Sequence, residues 1–530
     1  MLAKVTSAAV VGLDAVPITV EVDIAAQGLP SFTIVGLPDK AVEESKERVR
    51  AALKNSGADF PAKKITVNLA PADLPKEGPA YDLPIALGIL IASEQLRANP
   101  QDSVFLGELS LDGSLRRIWG VLPCAIMTRD KNFKNIFIPE DNLDEANIIN
   151  KINVYPVKNL HQLFDHFTSE NLSTGKAGLP AGKAGMSIEA LAKVGKIEPS
   201  KTKKQVFKVL ENLDYDFENI RGQESARRAL EIAAAGAHNL LMKGPPGAGK
   251  TLMARSFATI LPKLSFEESL EVTKIYSVAN LLTREKPIIT MRPFRSPHHT
   301  TSHIGLIGGG NIPRPGEISL AHRGVLFLDE FPEFPRQVLE ALRQPMEDGN
   351  VTISRAAGSV NFPCRFSLVA AANPCPCGYF GDESRNCTCS PHTITRYQKR
   401  ISGPILDRID IHVTVPAVKV EKLTTQIKSE SSKTIQARVQ RARDIQEKRF
   451  KGLPITSNAE MSSKLMKEFC NLDEQSVLLL KQAIAKLNLS ARSFHRVVKI
   501  ARTIADLEAS IKIKSNHVAE ALQYRPQQEG

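Results

Sequence analysis

Residues 244–251 read Gly-Pro-Pro-Gly-Ala-Gly-Lys-Thr, which satisfies the spacing G-x-x-x-x-G-K-[ST]. The apolar run Leu240-Leu241-Met242 precedes them, and the helix-forming stretch Leu252-Met253-Ala254-Arg255 follows. Strand, glycine turn and helix are what a triphosphate requires. Gly244, Pro245, Pro246, Gly247, Ala248 and Gly249 would form the phosphate-binding turn, the N–H groups of its non-proline residues curling around a phosphate where a Cβ at the glycines would clash. The following helix N-terminus adds partial positive charge. Lys250 would reach the β- and γ-phosphates, and the Thr251 hydroxyl would ligate magnesium. The expected chemistry is hydrolysis of a nucleoside triphosphate with magnesium.

Three further constellations fit that chemistry. Gly324-Val325-Leu326-Phe327-Leu328-Asp329-Glu330 is an apolar strand ending in two carboxylates. At the C-terminal end of a buried parallel strand, Asp329 would hold the magnesium and Glu330 would polarise the attacking water as general base. Ser367-Leu368-Val369-Ala370-Ala371-Ala372-Asn373-Pro374 is a second such strand, with Asn373 placed to touch the γ-phosphate or the lytic water. Ser402 to Asp410 carries Arg408 in a short turn. Its planar fork suits transition-state charge on phosphoryl oxygens, most naturally across a subunit boundary, which implies a ring. Arg492 and Arg496 supply two more arginines, expected to face back to the nucleotide; the sequence does not choose between them.

These residues need a parallel sheet to hold them, and residues 206–417 alternate strand with helix as such a sheet requires. Ahead of them, residues 1–167 mix short β-branched runs (Ile18–Val22, Lys64–Asn68) with helical patterns (Asp39–Asn55, Leu83–Gln95), an α+β domain. Residues 168–205, rich in Ser, Gly, Ala and Lys with Gly-Lys-Ala-Gly twice, are expected to form a flexible linker. Residues 418–530 are almost free of strand patterns. Apolar spacing in Gln475–Leu487 and Phe494–Leu507, with the basic stretch Ala437–Lys451, predicts a helical bundle. The fold class is therefore a multidomain α/β chain.

Composition limits the function classes. The chain has 530 residues, 42% of them hydrophobic, and a formal net charge of +12. No stretch approaches a membrane span, and the acidic first apolar run is not a secretion signal, so no membrane partner is expected. Seven cysteines, four of them clustered, argue for a reducing, cytoplasmic setting over a disulfide framework. Residues 1–167 carry 17 Lys and Arg against 21 Asp and Glu, residues 168–417 carry 31 against 24, and residues 418–530 carry 21 against 12. The basic excess thus lies in the motor and the tail. It fits a polyanionic partner, and equally a solvated basic surface.

The order and spacing of the phosphate loop, the acidic strand end, Ala-Ala-Asn-Pro and Leu-Asp-Arg-Ile-Asp resemble AAA+ ATPases of the magnesium-chelatase clade. Ser296-Pro297-His298-His299-Thr300, Gly308-Gly309-Gly310, Pro315–His322 and Ala371–Gly378 narrow the resemblance to the YifB/ComM family. It covers the chain apart from the linker. The resemblance implies a homohexameric, ATP-driven motor on single-stranded or branched DNA. It further implies a branch-migration helicase active in recombination during natural transformation, with recombination proteins as partners. A chelatase-type motor remodelling a metal-inserting protein is the alternative. In this clade, insertions such as 267–312 and 350–363 face a central channel. That makes Arg355, near the tip of a predicted hairpin, and Arg292 and Arg295 expected phosphate contacts.

Two further features remain. Cys375-x-Cys377 and Cys387-x-Cys389 could close a tetrahedral site, expected to hold structural zinc, against a loop of free or redox-paired thiols; His392 could replace one ligand. Residues 1–167 resemble a Lon-protease-like domain at Pro75–Asp82. There Ala80 occupies the nucleophile position and Leu122 the partner-lysine position, so proteolysis is disfavoured.

Overall fold

A computed structural model of the chain describes residues 1–173, 196–200, 215–310, 313–355, 358–382, 385–417, 429–487 and 490–525. They form two compact units. The first comprises Met1–Val206 and Thr273–Ile289; the second comprises Phe207–Val272 and Thr290–Gly530. The molecule is a mixed α/β, multidomain protein. Most of the expected linker lies outside the described residues. Its first residues, 168–173, instead continue the helix Leu160–Ser173, and Ile197 is buried, its N–H bonded to His166 Nδ1 at 3.1 Å.

The first unit is built on seven strands: β1 (Leu2–Val11), β2 (Asp14–Ile24), β3 (Ser31–Val35), β4 (Lys64–Ala70), β5 (Ser103–Phe105), β6 (Asn135–Pro139) and β7 (Asn153–Val157). Their order is β3-β4-β2-β1-β5-β6-β7, antiparallel at β1–β2 and β2–β4 and parallel elsewhere. Helix α1 (Lys40–Asn55) starts where Asp39 accepts from the Val42 N–H at 2.8 Å, a side-chain N-cap. It buries Val42, Val49, Ala52 and Leu53, one stripe at helical spacing. Helix α2 (Asp82–Ala92) is buried nearly all round, as its unbroken run Leu-Pro-Ile-Ala-Leu-Gly-Ile-Leu-Ile-Ala demands. The segment Thr273–Ile289, expected to face a channel, belongs to this unit. Its Ser277 hydroxyl donates to buried Glu145 at 2.5 Å, and its Lys274 pairs with Asp14.

The second unit carries a five-stranded, wholly parallel sheet. Its strands are β8 (Leu240–Lys243), β9 (Phe294–Arg295), β10 (Val325–Leu328), β13 (Ser367–Ala372) and β14 (Ile411–Thr414). They run in the order β9-β10-β13-β8-β14. The expected hairpin is present as β11 (Asn350–Arg355) paired antiparallel with β12 (Gly358–Pro363). The three central strands, β10, β13 and β8, are almost pure Val, Leu, Phe, Met and Ala, because helices cover both faces.

C-terminal helices close over this sheet. Ile435, Val439 and Ala442 of Ser432–Arg449, and Val497, Ile500, Ala501 and Ile504 of Ala491–Leu507, share one core with Ala226, Ala229 and Ala233 and with Leu240 and Met242. The small alanine face of Glu224–Gly236 lets the helices approach. Beneath that core the buried Asp506 carboxylate accepts from Arg449 at 2.8 Å, Arg502 at 3.1 Å and Asn458 at 2.8 Å. Fully hydrogen-bonded, that ion cluster can stay buried; stripped of one partner it would be strongly destabilising.

Candidate nucleotide site

The ends of β8, β10 and β13 converge on one crevice, as parallel α/β sheets arrange their ligand sites. β8 runs into the glycine loop, and the loop into helix Lys250–Phe257. Gly247 and Gly249 have φ of +76° and +85°, and an added Cβ at either would meet nothing within 4 Å. Glycine is needed there for backbone conformation, and the open space is where a phosphate chain fits. Gly244 is needed for another reason: a Cβ would sit 2.0 Å from the Val415 carbonyl oxygen.

Lys250 is 8% exposed. Its Nζ donates to the carbonyls of Gly244 at 2.7 Å and Pro245 at 2.8 Å, and to Asn373 Oδ1 at 3.0 Å. Burial lowers its ammonium pKa, and the nearby Asp329 carboxylate opposes that shift. Thr251 Oγ1 donates to Asp329 Oδ2 at 2.7 Å, and Asp329 Oδ1 accepts from the Glu330 N–H at 2.9 Å. A hydroxyl and a carboxylate in contact at the mouth of a phosphate loop are a fitting ligand pair for magnesium. Glu330 follows with φ +50° and a side chain 55% exposed; its Oε2 lies 3.2 Å from His299 Nδ1. Thus Lys250, Thr251, Asp329, Glu330 and Asn373 gather as their spacing predicts. His299 is an addition. The sequence showed His298-His299 but not that the second ring meets the candidate base.

Arg408 is elsewhere. Its carbonyl accepts from the Asn239 side chain at 3.1 Å, and Asn239 immediately precedes β8. Arg408 therefore lies at the end of β8 opposite the phosphate loop. Its guanidinium pairs with Glu347 and donates to the Pro404 carbonyl at 2.6 Å. Arg496 lies at that same end, 3.4 Å from Asp410, whose other oxygen accepts from the Asn239 N–H. Burial alone would raise the Asp410 carboxyl; His238 and Arg496 hold it below its ordinary range. Arg408, Arg496, Lys499, Glu347 and Asp410 line one cavity of about 460 Å³. Arg496, expected to face a nucleotide, thus lies at the end of β8 opposite the phosphate loop of its own chain. Arg492 is exposed on the first turn of the same helix.

The expected phosphate contacts divide. Arg292 donates to the carbonyls of Pro262 and Arg323, each at 2.7 Å, and pairs with Glu268 at 2.7 Å with its side chain 10% exposed. That corrects its assignment: its fork is spent inside the fold. Arg295 is held by both oxygens of Glu317, at 2.6 and 2.7 Å, which neutralises it. Arg355 ends β11 opposite Gly358, at the hairpin tip as expected, and its side chain lies outside the described residues.

The four clustered cysteines do meet: Cys375, Cys377, Cys387 and Cys389 place their sulfurs within 4.8 Å of one another, a group that could hold a metal ion. In the first unit, Ala80 forms part of a short 3-10 turn, and Leu122 is fully buried with its N–H on Glu145.

Comparison with known proteins agrees with this geometry. The model described as magnesium chelatase, subunit ChlI, matches residues 216–423. A second ChlI model matches 20–142, and the ChlI C-terminal model matches 429–525. The uncharacterized protein YifB of Escherichia coli is 44% identical over 527 residues, covering 99% of this chain and 97% of its own. The competence protein ComM of Haemophilus influenzae is 43% identical over 529 residues, with the same coverage. The magnesium-chelatase 38 kDa subunit of Cereibacter sphaeroides is 24% identical over 176 residues, 30% of this chain and 53% of its own. The chain belongs to the YifB/ComM family of magnesium-chelatase-like AAA+ proteins.

Proposed function

We propose that the protein is an ATP-driven motor that moves branched DNA, assembling as a homohexameric ring and acting as a branch-migration helicase in recombination during natural transformation. One observation carries the ring: Arg408 and Arg496 sit at the opposite end of β8 from the phosphate loop of their own chain. A finger so placed is useful to the nucleotide of a neighbour. Rings form when such a head-to-tail contact closes.

Within one subunit the division of labour follows from the geometry. The glycine loop and Lys250 bind the phosphates and orient them. Magnesium, held by Thr251 and Asp329, would neutralise charge on the β- and γ-phosphates. Glu330 takes the proton of the attacking water, and Asn373 holds the γ-phosphate side of the site while also fixing Lys250. Arg408 of the next subunit meets the charge that develops on the transferred phosphoryl group.

DNA as the object moved rests on the ComM likeness and on the basic excess in the motor and tail. Arg355 remains the candidate contact. The chelatase-type alternative draws on the likeness to the 38 kDa subunit, which spans 30% of the chain against 99% for ComM. The first unit fits an inactive Lon-like scaffold. Ala80 lines a pocket of about 200 Å³ with Cys124, whose thiol is pushed far above its ordinary range by burial, leaving no activated nucleophile there. The reading places the protein in the cytoplasm; all seven cysteines are unpaired, and among the described residues no helix is long and apolar enough to cross a membrane.

The test is ATP hydrolysis with and without single-stranded, forked and four-way DNA, together with strand displacement. Wild type should be stimulated and should displace strands, while Glu330→Gln and Lys250→Ala should not. No stimulation by any DNA form overturns the reading.

A further inference from the structure

The four cysteines are arranged more closely than proximity alone requires. Cys375 Sγ lies 3.3 Å from Cys377 and 3.7 Å from Cys387, and Cys377 lies 3.5 Å from Cys387. A disulfide needs about 2.0 Å, so none is formed. Four thiolates at about 2.3 Å from one zinc ion stand about 3.8 Å apart at the corners of a tetrahedron, close to the separations here. An iron–sulfur cluster distributes its cysteines over separate irons, which needs a wider cage. Backbone donors already face the sulfurs: Phe380 N–H lies 3.3 Å from Cys375 Sγ, and Cys389 N–H lies 3.4 Å from Cys387 Sγ.

The position of this knuckle gives it a consequence. Its first hook turns at Gly378, φ +88°, where a Cβ would lie 2.4 Å from Pro246 Cδ of the phosphate loop. Two residues before the hook, Asn373 accepts from Lys250. Behind it, helix Pro391–Gln398 starts two residues after Cys389, capped by Ser390, and returns Gln398 to the Pro374 carbonyl at 3.4 Å. The knuckle thus lies close against the phosphate loop at Gly378 and follows Asn373 along the chain by two residues.

We propose that Cys375, Cys377, Cys387 and Cys389 bind one zinc ion, and that this zinc holds the phosphate loop in its binding shape through the contact of Gly378 with Pro246. Nucleotide affinity then depends on a metal that never touches the nucleotide. The inference stands independently of DNA as substrate, because both of its readouts are metal content and nucleotide binding.

The full-length protein, purified without added chelator, should contain one zinc per chain by elemental analysis. Replacement with cobalt should give the visible absorption of tetrahedral thiolate coordination. Chelation should weaken binding of a fluorescent ATP analogue at least about tenfold, the scale on which losing a supporting shell is felt, and added zinc should restore it. Cys377→Ser should reproduce the chelated state. Gly378→Ala should keep its zinc yet bind nucleotide more weakly, whereas Lys250→Ala should keep its zinc and bind no nucleotide. Protein that contains no zinc, takes up neither zinc nor cobalt, and binds the analogue alike with and without chelator overturns the proposal. Stoichiometric zinc whose removal leaves analogue affinity unchanged, with circular dichroism unchanged, overturns the coupling to the loop.

Discussion

Arg408 and the loop that carries Lys250 occupy opposite ends of β8, so on the proposed reading one active site draws them from two chains. The perturbation is a pair of single variants, Arg408→Ala and Lys250→Ala. Each pure variant lacks one half of every site. Losing an arginine finger costs about 10³- to 10⁵-fold in turnover, or about 4–7 kcal/mol of transition-state stabilisation. Pure Arg408→Ala should nevertheless bind nucleotide as wild type does, since its own guanidinium rests on Glu347 and Pro404, away from its own loop. When the two variants are mixed in equal amounts and allowed to exchange, a boundary works if an Arg408→Ala chain presents its loop to a Lys250→Ala chain. Random head-to-tail assembly makes about one boundary in four of that kind. Steady-state ATP hydrolysis of the mixture should therefore reach about a quarter of wild type, from two parents that are nearly inactive. A mixture as inactive as its parents, with subunit exchange verified by fluorescence transfer, refutes the two-chain site. So does an Arg408→Ala protein with wild-type turnover.

Two other expectations concern the same chain. His299 lies 3.2 Å from Glu330 and on the proposed reading positions that base; His299→Ala should then lower kcat about 10- to 100-fold with KM for ATP unchanged, as loss of a supporting contact does. A rise in KM with kcat intact would assign the ring to binding instead. His166 of the first unit is held down to about 4 by burial, its Nδ1 accepting from Ile197 N–H. Its folded pKa lies below the unfolded value near 6.5, so the unfolded chain binds more protons and stability rises with pH. That stability is present above about pH 6.5 and is lost between about 6.5 and 4; His166→Gln should flatten the dependence of the first unit's unfolding midpoint across that window.

The nucleotide half of the site was legible because its residues follow strands directly. Asp329 and Asn373 are each the first residue past a buried run, and strand ends converge in a parallel sheet whatever the loops do. Side chains of intervening segments obey no such rule. Arg292 and Arg295 looked like free cations until Glu268 and Glu317, 24 and 22 residues away, proved to hold them. Arg496 was assigned to the nucleotide by its helix alone. Where that helix packs is decided by Val497, Ile500 and Ala501 entering the shared core, which turns the arginine toward Asp410. The contact of Gly378 with Pro246 and the meeting of His299 with Glu330 are likewise products of folding, joining segments more than 30 residues apart. The departure of Thr273–Ile289 into the first unit has no composition signal, since it is held by scattered side-chain contacts such as Ser277 on buried Glu145 and Lys274 on Asp14.

The decisive question is whether ATP hydrolysis by this protein moves DNA. A synthetic four-way junction with one labelled arm should be resolved into its product duplexes by wild type in the presence of ATP and magnesium, and left intact by Glu330→Gln, which keeps the loop and loses the base. A junction that wild type leaves intact, at a protein concentration where it hydrolyses ATP at the same rate with and without DNA, contradicts the proposed DNA motor.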